Sequence, residues 1–371
     1  MDFAILLVSL RMYMLNYSLP TKQKCMTSQF SHLFRIFLCV ALTSCAVNKR
    51  ASITTNQLAE TDSLGLTSAE DSIIQFDDTR KSDWGKNFEV VGIPSSLDKS
   101  IQNAYFRPTS SSQPKPLIVS LHTWSGSYEQ SDPLAEICQS LDLNYIHPDF
   151  RGPNWTKDAC CSELALNDID DAIQYALDHS NVAVNDIYVI GVSGGGYATL
   201  STFIKSRHPI RKFSAWASIS DLTAWYHESK IRNNPYADHI LKCTGATDEL
   251  IDTLAQQRSP LYWTTPKSKL IDTELNIYAG IYDGLQGSVP ITHSINFYNK
   301  ILSDIGISDS SKYVSDKEKL QLLEFRKPLG NFGKIADREI CLIKQSGNIK
   351  LIIFEGNHEM LPQYALQELL R

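Results

Sequence analysis

From Pro116 onward, short apolar runs alternate with longer segments whose apolar positions recur at helical spacing. The runs over 117–122, 144–148, 186–192, 213–220, 275–282 and 350–355 are brief and rich in β-branched and aromatic residues, which predicts strands. The segments 133–141, 163–179, 195–207, 291–302 and 359–370 predict helices. In the second of these, Leu164, Ile169, Ala172, Ile173, Ala176 and Leu177 share one face and the acids take the other. This alternation predicts an α/β fold: a mainly parallel, doubly wound sheet with helices on both faces. Two stretches interrupt it. Residues 225–263 predict a small, mostly helical insert, and 303–336 form an insertion ahead of a hairpin. That hairpin pairs 339–344 with 350–355 and turns through Ser346-Gly347-Asn348. No internal repeat is present.

The chain opens differently, with two apolar runs over 3–10 and 36–42. Neither approaches the ~18–20 residues that span a bilayer. The second ends in Leu42-Thr43-Ser44-Cys45, which resembles a bacterial lipobox. The resemblance implies cleavage before Cys45 and lipidation of the new terminal thiol, tethering the protein to a membrane of the bacterial cell envelope, on the periplasmic side or the cell surface. Met26, 19 residues ahead of Cys45, then suits the true start. Residues 1–44 are accordingly expected to be leader and signal peptide. Residues 45–82, rich in Ser, Thr, Asp and Ala, are expected to be a flexible tether, and 83–371 a single catalytic domain.

Composition narrows the functional classes. With 43% hydrophobic, 10% aromatic and 20% charged residues, the 371-residue chain is globular rather than disordered. Its 35 Lys and Arg against 41 Asp and Glu give a net charge of −6, with no gathered basic patch, which argues against nucleic acid as a partner. Eight cysteines are too few for a disulfide-stapled scaffold. Beyond the tether, Cys138, Cys160, Cys161, Cys243 and Cys341 remain, an odd number. Cys160 and Cys161 allow a vicinal bridge, a bridge from one of them to Cys243, or buried free thiols. No spacing fits a zinc or haem site, and nothing implies a metal or organic cofactor.

The sharpest chemical signal is Gly191-Val192-Ser193-Gly194-Gly195, which follows an apolar strand and opens a helix. In that context Gly-x-Ser-x-Gly predicts a nucleophile elbow. The serine stands on a strained turn at the sheet edge, and the Gly194 N–H faces a developing oxyanion.

Here the sequence resembles an α/β-hydrolase, and within that fold the prolyl oligopeptidase and dienelactone hydrolase-like serine hydrolases. The likeness covers 116–371. Asp149-Phe150-Arg151-Gly152 matches an Arg-Gly turn after an early strand, Asn167-Asp168-Ile169 the helix before the nucleophile strand, and Ser259-Pro260 a stretch ahead of the acid-bearing strand. The family order of nucleophile, acid and base implies His358 as the base, following the last strand in Gly356-Asn357-His358-Glu359. His293 and His227 are placed less favourably. The acid is expected at Asp283, in Gly280-Ile281-Tyr282-Asp283-Gly284, although Leu285–Ser288 lengthens the link to Val289-Pro290; Asp221 is the rival. The loop His122-Thr123-Trp124-Ser125-Gly126 resembles a His-Gly-x-x-Gly oxyanion loop, which implies the Trp124 N–H as second donor and Thr123 as the next candidate.

Trp124, Trp155, Trp225 and Tyr226 follow strand ends or lie in the insert, and aromatic faces at such a mouth suit sugar rings or aromatic acyl groups. Trp155, Trp225 and Tyr226 are therefore the expected substrate-binding residues. The combined expectation is a serine carboxylesterase acting through an acyl-enzyme on acetyl, feruloyl or methyl esters of an extracellular polysaccharide or oligosaccharide. Two alternatives stand beside it. One is a serine peptidase of the oligopeptidase type without that family's β-propeller, since only 83–115 precede the hydrolase pattern. The other is a non-catalytic surface glycan-binding protein.

Overall fold

The computed structural model describes residues 84–371. Cys45, the expected 1–44 leader and the expected 45–82 tether lie outside the described residues. The chain enters through two antiparallel strands, β1 (Glu89–Pro94) and β2 (Ile101–Arg107), and then alternates. β3 (Lys115–Leu121), α1 (Pro133–Ser140), β4 (Asn144–Pro148), α2 (Glu163–His179), β5 (Val182–Val192), α3 (Gly194–Lys205) and β6 (Lys212–Trp216) follow in turn. The predicted insert is helical: α4 (Leu222–Ile231), α5 (Tyr236–Thr244) and α6 (Asp252–Gln257). β7 (Glu274–Gly280), α7 (Thr292–Ile305), α8 (Asp316–Phe325), β8 (Lys334–Ile335), β9 (Arg338–Ser346), β10 (Ile349–Phe354) and α9 (Pro362–Leu370) complete the domain.

All ten strands form one sheet in the order β1-β2-β4-β3-β5-β6-β7-β10-β9-β8. The central run from β4 to β10 is parallel, and the flanking pairs are antiparallel. Strand periodicity explains why both faces carry a core. In β5, Ile187 and Val189 pack with Ala172 and Ile173 of α2 and Leu200 and Phe203 of α3. Tyr188, Ile190 and Val192 point the other way, into a second cluster with Leu134 of α1 and Leu366 of α9. After β3 the chain steps to β4, then returns past β3 to β5. The sheet order therefore reverses between β3 and β5, and a crevice at their carboxyl ends is where open α/β sheets bind ligands.

Three features depart from the sequence pattern. β1 and β2 were not legible, because their partly exposed faces break the apolar alternation. α9 begins at Pro362, the residue whose fixed φ suits a first helical turn, so 359–361 stay in the loop. The acids of α2, which lie opposite its apolar face, are also buried: Asp168, Asp170 and Asp171 meet a polar layer from three other segments. Asp170 accepts from the Ser206 hydroxyl at 2.5 Å, and Asp171 from the Ser96 N–H at 2.7 Å and Arg207 at 2.9 Å.

Asp168 is paired with Arg151, whose guanidinium also reaches Asp98 at 2.8 Å. Two motifs that are weak alone in the sequence thus hold each other. Arg151 keeps the Asp98 carboxyl below the usual range, while burial pushes Asp168 up. Arg151→Ala leaves the Asp168 carboxylate buried without its cation and is expected to cost about 3 kcal/mol. Urea unfolding checks this. Arg151→Ala with Asp168→Ala should recover part of the loss, whereas an Arg151→Ala variant as stable as the parent would contradict the pairing.

A second buried polar group lies beneath the β3 loop. Burial pushes the His147 imidazole down to about 4, with Asp132 3.8 Å away opposing. The unfolded chain gains a proton on this residue below its ordinary value of 6.5, while the fold resists protonation. The contribution is therefore intact above pH 6.5 and is lost as pH falls towards 4, by about 3 kcal/mol in all. Denaturant unfolding at pH 7 and pH 4.5 should show a smaller drop for His147→Phe than for the wild type. An equal drop would contradict this assignment.

Candidate active site

Ser193 sits between β5 and α3 with φ 58° and ψ −119°, a left-handed conformation that a non-glycine residue holds only under constraint, at about 1–3 kcal/mol. Its N–H donates to Trp216 O on β6 at 2.9 Å, and its carbonyl accepts from Tyr197 N–H at 2.9 Å. Strand and helix thus pin the turn from both ends. Gly194 opens α3, so its N–H has no intrahelical partner. A Cβ on Gly194 would lie 2.2 Å from the Trp124 nitrogen, so only glycine lets the β3 loop approach this closely.

That approach brings two backbone donors together. Trp124 N–H makes no hydrogen bond among the described residues. Thr123 N–H, the other candidate, already donates to Gln130 Oε1 at 2.9 Å. The Trp124 and Gly194 N–H groups therefore form the pair that can receive an oxyanion. His122, which begins this loop, is buried and stacked on Phe150 at 3.9 Å, and burial lowers its pKa. Its two ring nitrogens lie at Thr123 O and Asp149 O, so it supports the loop.

Asp283 and His358 follow β7 and β10, strands that pair in parallel. Their loops are stitched by Ile281 N–H to Phe354 O at 2.7 Å and Tyr282 N–H to Gly356 O at 2.9 Å. His358 Nδ1 lies 2.8 Å from Asp283 Oδ2. The other carboxylate oxygen accepts from Gly284 N–H at 2.9 Å and Val289 N–H at 3.0 Å. The lengthened 285–288 link therefore folds back onto the carboxylate. Gly287 makes this feasible, because a Cβ there would lie 2.3 Å from Asp283 Oδ1 and 2.6 Å from His358 Cβ. Ser193, Asp283 and His358 thus occupy the carboxyl edge of one sheet, after β5, β7 and β10.

The rivals have other work. Asp221 caps α4 through Thr223 N–H at 2.9 Å and accepts from the Tyr262 hydroxyl at 3.1 Å. His293 is buried with Nε2 2.9 Å from Glu228. His227 is exposed on α4.

The expected aromatic mouth needs correction. Trp225 is fully buried: its indole donates to Ser288 O at 2.9 Å and stacks on Tyr236 at 4.7 Å, so it braces the Asp283 loop from beneath the insert. Tyr226 is also buried. Trp124 is buried edge-on to Trp225 at 4.7 Å, and its indole donates to His239 Nδ1 on α5 at 3.3 Å. Only Trp155 stays half-buried, 4.7 Å from the His239 ring. Apolar character and position cannot distinguish an aromatic that bridges two loops from one that faces a ligand.

All five described cysteines are free and buried, so of the three arrangements the sequence allowed, the structure has buried thiols. Burial raises the Cys160 thiol pKa and pushes that of Cys161 up to about 12. No cluster of three or more His, Cys, Asp or Glu suited to a metal ion occurs among the described residues.

No protein-family model matches this sequence, and no curated protein matches it. Solved structures do. The acylaminoacyl peptidase of Pyrococcus horikoshii aligns with a TM-score of 0.51 at 15% identity, over 76% of this chain and 40% of that one. A puromycin-hydrolyzing peptidase of Mycobacterium tuberculosis gives a TM-score of 0.50 at 14% identity, over 76% of this chain and 37% of that one. The chain thus spans about two fifths of the length of either structure. At these identities the likeness shows the fold, and that fold is the α/β-hydrolase fold.

Proposed function

We propose that this chain of α/β-hydrolase fold is a serine hydrolase that cleaves the acyl–nitrogen bond of short peptides or N-acylated amino acids through an acyl-enzyme. The observation that carries the catalytic reading is the 2.8 Å contact of His358 with Asp283, at the same sheet edge as a strained Ser193 flanked by two available N–H groups. Ser193 Oγ attacks the carbonyl while His358 Nε2 takes its proton, and Asp283 holds the tautomer that leaves Nε2 able to accept. The oxyanion is received by the Gly194 and Trp124 N–H groups. His358 then protonates the departing nitrogen, and water, deprotonated by the same imidazole, releases the acyl group.

The nitrogen-linked substrate class is supported by the two solved structures of like fold, both named as peptidases. The carbohydrate-ester reading keeps one support, the half-buried Trp155 indole, since Trp225 and Tyr226 are enclosed. Esters expel a better leaving group than amides, so activated esters are expected to turn over on the same triad whatever the natural substrate.

A substrate panel separates these readings: free and N-acetylated aminoacyl anilides, short peptides, acetylated and feruloylated oligosaccharides, and methyl uronates. Ser193-dependent turnover of the anilides or peptides is the expected result. Turnover confined to the oligosaccharide esters would install the ester reading instead. Oligosaccharide binding unchanged by Ser193→Ala, with no turnover of anything, would favour a binding protein. The proposed location in the cell envelope rests on Cys45. Cys45→Ala should move the protein from the membrane to the soluble fraction, and unchanged partitioning would overturn the anchor.

A further inference from the structure

In the oxyanion loop between β3 and α1, Gln130 is a buried polar side chain that the catalytic reading does not use. Gln130 is only 4% exposed, and its Oε1 accepts both from Thr123 N–H at 2.9 Å and from the Thr123 hydroxyl at 3.1 Å. The loop is shaped around this amide. A Cβ on Gly126 would lie 2.1 Å from Gln130 Oε1, so the amide keeps this position only while residue 126 has no side chain. Gly126 N–H closes the turn onto Thr123 O at 3.1 Å, and Gln130 N–H closes the next onto Ser127 O at 3.0 Å.

The bond has a consequence for chemistry. Thr123 and Trp124 bring the loop backbone against the nucleophile turn: a Cβ built on Gly194 would lie 2.2 Å from Trp124 N and 2.8 Å from Thr123 C. The Thr123 donor is consumed by Gln130, while Trp124 N–H makes no hydrogen bond among the described residues. The rest of Trp124 is held elsewhere. Its carbonyl accepts from the Asn154 N–H at 2.8 Å and from the Asn154 side-chain amide at 3.3 Å, and its indole donates to His239. Those contacts leave open the conformation of the residue just before it, where Gly126 N–H and His122 Nδ1 meet the Thr123 carbonyl and Gln130 is the partner of its N–H.

We propose that Gln130 is a positioning residue: by occupying the Thr123 N–H it fixes the 122–124 backbone so that Trp124 N–H is the loop's oxyanion donor. This rests on the catalytic reading of Ser193 above. Gln130 touches no reacting atom, so its effect belongs to the transition state, where the oxyanion forms, and not to ground-state binding. Misplacing such a donor by about 1 Å can cost on the order of 100-fold in rate.

The test compares Gln130→Met, which keeps length and removes the acceptor, with Gln130→Glu, which keeps an oxygen facing Thr123 N–H. Both are measured beside wild type and Ser193→Ala on an activated ester. In Gln130→Met, kcat should fall about 10- to 100-fold with KM within about threefold, and affinity for a trifluoromethyl ketone, which forms a tetrahedral adduct, should fall in parallel. Gln130→Glu should recover most of both losses. A folded Gln130→Met with wild-type kcat and inhibitor affinity would overturn the positioning role alone. So would a loss that Gln130→Glu fails to restore while retaining the wild-type Tm. Absence of Ser193-dependent turnover in the wild type would overturn the catalytic reading and the proposal with it. If Gln130→Met does not fold, Thr123→Pro, which removes the same N–H donor, and Gln130→Glu carry the comparison. Wild-type kinetics in either variant that lacks the bond would overturn the role.

Discussion

Ser193→Ala is expected to lower kcat on an activated ester by about 10⁴-fold or more while leaving Tm within a few degrees of the wild type. The size follows from what is removed. Without Oγ there is no acyl-enzyme, and water must attack with only the oxyanion donors and binding to assist it. The preserved fold follows from the backbone: the elbow is held by Ser193 N–H on Trp216 O and by Tyr197 N–H on Ser193 O, bonds that alanine retains. Stopped-flow measurement of the first turnover is the check. A pre-steady-state burst in the wild type should vanish in the variant. Persistence of turnover within tenfold would place the nucleophile elsewhere.

Asp283→Asn is expected to cost nearly as much, about 10⁴-fold in kcat, for a reason specific to this loop. Oδ1 of Asp283 is claimed by the Gly284 and Val289 N–H groups, at 2.9 and 3.0 Å. In asparagine the carbonyl oxygen must take that side, which turns the amide NH₂ towards His358. The imidazole then accepts at Nδ1 and carries its proton on Nε2, the wrong tautomer for receiving one from Ser193. Kinetics with Tm as control tests this. An Asp283→Asn variant within tenfold of wild type would remove Asp283 from the triad, and the same loss on Asp221→Asn would transfer the role.

Much of this site was legible because its signals are local. Gly191-Val192-Ser193-Gly194-Gly195 carries its own strand and helix, and the Asp283 and His358 loops each follow an apolar strand. What was not legible depends on which segments lie across from one another. The acids of α2 are legible only as the face opposite its apolar residues; that they are buried depends on Arg151, Arg207 and Ser96 being brought against them. Trp225 and Tyr226 read as ligand-facing because sequence shows that a residue lies in an insert, but not that the insert folds its aromatics inward. The 285–288 link read as a departure, yet Gly287 and the Val289 N–H turn the extra length into support for the carboxylate. Gln130 gave no signal at all, since a glutamine in a polar loop differs from its neighbours only once the loop has closed around it.

The most direct test of the account is the covalent reaction of the purified protein with a fluorophosphonate, which phosphonylates a serine only when a base and an oxyanion site activate it. Peptide mass spectrometry should find one adduct per chain, on Ser193, lost in Ser193→Ala and strongly slowed in His358→Ala. No adduct on a folded protein, or an adduct on any other residue with Ser193 untouched, would contradict the claim that this sheet edge is a serine hydrolase active site.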